Sequence, residues 1–324
     1  MDLRRVSAPV IAMLLFLAFC FGCTPADRQD NGKASIVCTI FPQYDWVREI
    51  LGDRAGDVEL TLLAKNSADL HNYQPSVDDI VKISTCDLFI YVGGESDKWV
   101  ENALRSASNR EMTVIRLIHE LGAAAKTEEI TEGMQEEDDT DDDESGYDEH
   151  VWLSLRNAQI FCRTITEALS SLNADYAEEY RRNMSVYIEK LTALDLAYQA
   201  AVDAAPVHTL LFGDRFPFRY LVDDYGLPYF AAFPGCSTET EATFATIIFL
   251  VNKIDELNLN YVLVTESADQ SIARTIISNT ADKKQRILVL DALQSVTSEE
   301  MREGKSYLSV MESNLAVLKE ALGY

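Results

Sequence analysis

Relative to its size, the chain is short of positive charge. Its 324 residues hold 28 Lys and Arg against 53 Asp and Glu, a formal net charge of -25. Such a chain repels phosphate backbones instead of releasing their counterions, which excludes nucleic acid as a partner. Anionic lipid surfaces repel it too unless an anchor holds it there. Its field attracts cations, although an acidic surface also serves solubility alone. Glycine (14) and proline (8) are scarce, which excludes collagen-like and wholly disordered chains. Beyond Cys20 and Cys23, the cysteines Cys38, Cys86, Cys162 and Cys236 lie far apart, so no thiolate zinc cluster is signalled. Cys38 and Cys86 are expected to be small buried strand residues. No HExxH, GxSxG, GxGxxG or P-loop pattern is present to support metalloprotease, hydrolase or nucleotide chemistry.

What is present begins with an apolar run, Ala8 to Phe21, behind Arg4 and Arg5 and closed by Gly22-Cys23. A basic start, a short apolar stretch and a small residue before the break predict a secretory signal over 1–22. The run is short for a transmembrane span. Gly22-Cys23 resembles a bacterial lipoprotein cleavage site, with Cys20 standing where Leu is usual. Cys23 is the expected lipidation site; ordinary cleavage with an incidental cysteine is the rival. Residues 23–34 are polar and aperiodic and read as a tether.

From there the chain alternates. Ser35–Phe41, Val58–Leu63, Leu88–Val92 and Thr113–Leu117 are apolar or β-branched runs of strand length, and helical spacing separates them. Ser76 with Asp79 marks one helix start. Leu210–Gly213, Tyr229–Phe233, Tyr261–Thr265 and Ile287–Leu290 repeat the alternation after a helical stretch, Ala158 to Val202. From about Asp175 that stretch runs without Gly or Pro for some 40 Å. The predicted class is α/β: two lobes, each with a mostly parallel sheet flanked by helices, joined by one long rigid helix. The boundaries are 35–170, 171–204 and 205–324. An acidic run over 128–149 interrupts the first lobe and is expected to be a solvated, mobile loop.

The four histidines are His71, His119, His150 and His208. His71 follows a strand and precedes a helix cap, and in an open parallel sheet that end faces the ligand crevice. His150 stands where the acidic run meets ordered structure. Neither lies on an apolar helix face, so a buried core role is the weaker reading for both. His119 reads as a surface residue and His208 as structural.

Ser67 to Ser76, Ser-Ala-Asp-Leu-His-Asn-Tyr-Gln-Pro-Ser, followed by Asp79-Ile80, resembles the first metal-ligand motif of the zinc and manganese receptors of bacterial ABC importers. Asp148-Glu149-His150-Val151-Trp152-Leu153 resembles their second, usually Asp-Pro-His-Val-Trp, and the acidic run before it is typical of the zinc-preferring branch. Tyr225-Gly226-Leu227, Glu266 and the closing helix match in order. The resemblance covers the chain after the tether. It implies two α/β lobes on a long helix, a metal between them, limited hinge motion, a monomer, and delivery to a membrane permease without catalysis. Neutral imidazoles suit Zn²⁺ or Mn²⁺, so His71 and His150 are the expected ligands from the first lobe.

The sequence departs from the pattern after the first strand of the second lobe, where a histidine is usual and Leu211 to Phe218 holds none. Asp214 is the expected third ligand there, with pairing to Arg215 or helix capping as its rival role. Glu266 is the expected fourth, with helix capping as its rival, and Asp291 ranks below it. Two histidines with two carboxylates would tolerate Mn²⁺; the overall resemblance puts zinc first and manganese second. The acidic run is also a candidate cation collector, acting within the screening length of about 8 Å. The alternatives are a metal-dependent hydrolase with an open coordination position and a surface adhesin or structural lipoprotein with incidental metal.

Overall fold

The computed structural model describes residues 32–65, 71, 73–135, 146–237, 239 and 241–324. The signal, Cys23 and most of the tether lie outside them, as do 136–145 of the acidic run, residue 66, and residues 67–70 and 72 of the first motif. Among the described residues no helix is long and apolar enough to cross a membrane.

The first lobe contains β1 (Ala34–Cys38), α1 (Phe41–Leu51), β2 (Val58–Leu62), α2 (Val77–Thr85), β3 (Leu88–Tyr91), α3 (Lys98–Arg105), β4 (Thr113–Arg116) and α4 (Leu117–Leu121). Then come α5 (Leu155–Leu172) and α6 (Ala177–Asp203). The second lobe follows with β5 (Leu210–Phe216), α7 (Arg219–Tyr225), β6 (Tyr229–Pro234), α8 (Phe244–Leu257), β7 (Tyr261–Thr265), α9 (Ser271–Asn279), β8 (Arg286–Leu290), α10 (Ser298–Arg302) and α11 (Tyr307–Ala321). Each lobe has one four-stranded sheet, ordered β2-β1-β3-β4 and β6-β5-β7-β8, and every pairing is parallel. Strand order reverses at β1/β3 and at β5/β7, which opens a crevice at the carboxyl ends of both sheets.

Local chemistry explains the boundaries. Ser76 accepts from the Asp79 amide at 3.2 Å while Asp79 accepts from the Ser76 amide at 2.9 Å, a reciprocal cap that fixes where α2 starts. α1 begins at Phe41, with Pro42 in its first turn, so the strand expected over Ser35–Phe41 ends earlier, at Cys38. Proline lacks only an amide that the first turn leaves unpaired anyway. The single helical stretch expected from Ala158 is two helices, α5 and α6, broken at Asn173.

α6 is less a free strut than a packed element. Tyr180, Tyr187, Leu191, Leu194 and Tyr198 are buried along it, and its neighbours include α1, α5 and α11. The apolar core runs from Ile36 and Trp46 of the first lobe through Trp152 to Phe212 and Met311 of the second. Polar ties cross as well. The Trp152 indole donates to the Ala292 carbonyl at 2.9 Å, the Tyr307 hydroxyl donates to the Trp152 carbonyl at 2.7 Å, and the Tyr307 amide donates to buried Asp45 at 2.8 Å.

The described flanks of the acidic run are exposed at Glu129, Ile130, Glu132, Gly146 and Tyr147, but they are anchored. Thr127 and Tyr147 bridge antiparallel at its base. Met134 is buried in the core, the Gln135 amide donates to the Ala232 carbonyl of β6 at 3.0 Å, and its side chain accepts from the Thr243 amide at 2.6 Å. An apolar methionine within the acidic composition supplies the anchor.

Candidate metal centre

Loops leaving the carboxyl ends of β2, β6 and β8, and the segment that closes the acidic run, converge on one point. His71 arrives after β2 and His150 before α5. Their Nε2 atoms lie 3.2 Å apart, and their side chains are 5% and 0% exposed. Two imidazole nitrogens bound to one tetrahedral Zn²⁺, each about 2.05 Å from it, stand roughly 3.3 Å apart. The observed spacing matches that of two ligands of one ion, and it is also the length of an N–H···N hydrogen bond between the two rings.

The far ring nitrogens are occupied. His150 Nδ1 donates to Asp148 Oδ1 at 3.0 Å, and that oxygen also accepts the His150 amide at 2.8 Å. This directs the Nε2 lone pair outward. His71 Nδ1 meets the Ser96 hydroxyl at 2.8 Å and lies 3.5 Å from Glu149 Oε2. Glu149 Oε1 in turn accepts the Ser96 amide at 2.7 Å. Burial alone would lower the His150 pKa, but Asp148, Glu149 and Glu128 around the ring outweigh it and raise it. Burial raises the carboxyls of Glu149 and Glu128, against the hydrogen bonds they accept. Anionic groups are thus crowded where water is scarce, and a divalent cation at the imidazoles would favour their charged forms.

The second lobe contributes through β6 and β8. A ring nitrogen of each histidine and the Cys236 thiol lie within 4.8 Å of one another. Cys236 follows Pro234-Gly235 at the end of β6, and its amide donates to Glu128 at 2.9 Å. Gln294, beyond β8, sets its carboxamide nitrogen 3.0 Å from His150 Nε2 and 3.5 Å from His71 Nε2. Leu293 just before it has φ 61°, a left-handed backbone that a branched side chain resists.

Asp214 and Glu266 do not join this group. β5 carries a register shift between Phe212 and Arg215, and pairs with β7 only at Phe212–Leu263. Asp214 accepts the Thr265 amide at 2.9 Å and its hydroxyl, completing an edge that the irregular strand leaves open. It lines a cavity of about 340 Å³ with Arg215, Ser237, Thr265 and Ser271. Glu266 accepts the amides of Ala292 and Gln294 at 2.8 and 3.0 Å and the Ser295 hydroxyl at 3.2 Å. It thereby holds the loop that presents Gln294. Asp291 accepts the Leu293 amide at 2.7 Å and pairs with Lys305 at 3.0 Å. His119 is 83% exposed and His208 is exposed ahead of β5. Sequence reasoning missed Cys236 and Gln294. A lone cysteine in a Pro-Gly-Cys turn carries no ligand spacing, and its position at the end of β6 was the only available signal.

The zinc-binding lipoprotein AdcA of Streptococcus pneumoniae is 32% identical over 310 residues, 94% of this chain and 58% of the relative; the chain thus spans little more than half the length of the first such relatives. The high-affinity zinc uptake system protein ZnuA of Bacillus subtilis is 29% identical over 320 residues, 97% of this chain and 96% of the relative. Among solved structures, the Zn(II)-bound ZnuA-like domain of Streptococcus pneumoniae AdcA superposes with a TM-score of 0.69 at 28% identity, covering 90% of this chain and all of that one. The metal-dependent lipoprotein YcdH of Bacillus subtilis gives 0.72 at 26% identity, covering 90% and 99%. The model of the zinc-uptake complex component A, periplasmic (ZnuA), matches residues 36–321, and with the paired sheets and the buried histidine pair the chain belongs to that family.

Proposed function

We propose that this protein is the extracytoplasmic receptor of an ABC importer. It captures Zn²⁺, with Mn²⁺ second, between its two lobes and delivers it to a membrane permease. The observation that carries the reading is the 3.2 Å Nε2–Nε2 pair of His71 and His150, buried and braced by Ser96, Glu149 and Asp148. Capture and release are the whole of the chemistry. The relatives' names support zinc as the cargo and a lipoprotein as the form. Cys23 is the proposed lipidation site and residues up to about 34 the tether. The core shared by both lobes supports a monomer that closes by loop adjustment more than by hinge rotation. Asp214 and Glu266, proposed from the sequence as ligands, are assigned instead to bracing: Asp214 Oδ2 accepts the Thr265 amide and hydroxyl, and each Glu266 oxygen accepts an amide of the 292–294 loop.

The test is a calorimetric titration of the chain from Ser35 onward with Zn²⁺ and with Mn²⁺, beside the double variant His71→Ala, His150→Ala. One-to-one zinc binding lost in the double variant is the expected result. Weak binding at several sites that survives in the variant would place the cations on the acidic run and remove the receptor reading.

A further inference from the structure

We propose that the Cys236 thiolate is the ligand that the second lobe gives to the bound metal, and that this sulfur makes the site select zinc over manganese. The inference rests on the receptor reading and adds a residue that the sequence pattern did not mark. Three observations carry it. First, the Cys236 thiol and a ring nitrogen of each histidine fall within 4.8 Å of one another, and no other set of three or more His, Cys, Asp or Glu ligand atoms gathers in this way among the described residues. In a tetrahedral zinc site a sulfur about 2.3 Å from the metal stands roughly 3.6 Å from each ligating nitrogen. The thiol therefore stands at most about 1 Å beyond ligating distance from either nitrogen, a gap within reach of a side-chain rotation. Second, the approach is built into the backbone. A Cβ on Gly235 would meet His150 Cε1 at 3.0 Å and Nδ1 at 3.1 Å, so the turn carrying Cys236 lies flat on the ligand ring only because residue 235 is glycine. The Cys236 amide is fixed by Glu128 at 2.9 Å. Third, the second-lobe carboxylates that the sequence pattern put forward, Asp214 and Glu266, are held by amide donors and stand outside this group.

The chemistry follows from ligand softness. Thiolate with two imidazoles suits Zn²⁺ and Cd²⁺, whereas Mn²⁺ prefers carboxylate, carbonyl and water oxygens. Binding replaces the S–H bond with an S–metal bond and releases one proton to solvent. Gln294 closes the remaining side of the site, above both Nε2 atoms. The other described cysteines, Cys38, Cys86 and Cys162, are buried away in the lobes, so a sulfur signal reports on Cys236.

The experiment titrates the reduced chain from Ser35 onward with Cd²⁺ while recording the near-ultraviolet sulfur-to-metal charge-transfer band. Zn²⁺ and Mn²⁺ affinities are then compared for wild type, Cys236→Ser and the double histidine variant. The proposal expects a band that saturates at one equivalent and is absent in Cys236→Ser. It also expects Zn²⁺ affinity to fall more than ~100-fold in that variant, beyond what loss of a residue merely supporting a ligand costs, with Mn²⁺ affinity changed by less than that. Zinc should shield Cys236 from alkylation by iodoacetamide, read by mass spectrometry without any mutation. Zinc binding that is lost in the histidine variant but intact in Cys236→Ser, with no band, overturns the proposal and leaves the receptor reading standing. No stoichiometric zinc binding by the wild type overturns both.

Discussion

Gly235 and His150 are in contact across the two lobes: a side chain at 235 would run into the imidazole at 3.0–3.1 Å and into the Phe216 carbonyl at 2.8 Å. The imidazole and the turn of β6 therefore set each other's positions. Gly235→Ala is expected to push the turn off the ring and lower zinc affinity by about tenfold or more, since even residues that only orient a ligand cost 10–100-fold when lost. Competition titration against a chelator measures it. Unchanged affinity with unchanged melting temperature would show that the contact does not matter to the site.

Asp148 fixes the tautomer of His150 by accepting Nδ1–H at 3.0 Å, which leaves Nε2 as the acceptor, facing His71 and the Gln294 carboxamide. Asp148→Asn keeps the shape but weakens the acceptor and permits the amide to turn its nitrogen toward the ring. Zinc affinity is expected to drop by about 10–100-fold, on the scale of other orienting partners of metal-bound histidines. His150→Ala should drop it further. Equal affinity in wild type and Asp148→Asn would assign Asp148 to loop structure alone, through its bond to the His150 amide.

Much of the fold was readable in the sequence because parallel strands buried on both faces leave near-continuous apolar runs, as in LFIYV at 88–92 and YVLVT at 261–265. The alternation of those runs with helical spacing gave the two sheets, and Ser76 with Asp79 gave one helix start to the residue. The site was readable only from the first lobe. His71 and His150 stand at strand and loop ends, where a histidine is conspicuous. The second lobe reaches the site through Cys236 and Gln294, residue types that look ordinary in any loop, and what puts them there is non-local: the flat turn at Gly235, the left-handed Leu293, and Glu266 holding the amides of residues 292 and 294. Asp214 was the expected ligand because it is the carboxylate of the stretch Leu211–Phe218, where the family pattern has a histidine. The register shift in β5 that turns it to the Thr265 amide leaves no mark in hydrophobic periodicity.

The acidic run separates into anchored flanks and the segment 136–145. Removing 131–146 whole would take out buried Met134 and the Gly146 carbonyl that accepts the Glu128 amide at 2.9 Å, confusing steering with folding. Deleting 136–145 alone, with a short Gly-Ser closure, spares both. Attraction by a cluster of carboxylates acts on encounter more than on the final complex. Association with Zn²⁺ in stopped flow is therefore expected to slow at low ionic strength and to converge with wild type at high salt, with equilibrium affinity unchanged. Equal association rates at low salt would remove cation steering from the segment's role.

Acid should act on the folded chain and on metal binding in opposite directions. Burial pushes the Asp45 carboxyl up to about 6, against Arg48 and the Tyr307 amide, and pushes Asp97 up to about 6, against the amides of Gly93 and Val92. In the unfolded chain both return to about 3.9, so between roughly pH 4 and 6 the native state binds more protons than the unfolded one. Stability then falls as pH rises through that window. Holding a carboxyl near 6 instead of 3.9 disfavours its ionised form by about 3 kcal/mol, an order-of-magnitude figure for each residue. The metal-free chain is expected to melt at higher temperature near pH 5.5 than near pH 7.5, and Asp45→Asn with Asp97→Asn should flatten the difference. Zinc binding should move the other way. The raised pKa of His150, set by Asp148, Glu149 and Glu128 against burial, means that protons compete for Nε2 as pH drops, so affinity is lost in mild acid. Calorimetric melting without metal and chelator competition with it, on one set of buffers from about pH 5.5 to 7.5, read both trends together. Affinity that stays flat across that range would contradict ligation through His150, whatever the melting curves do.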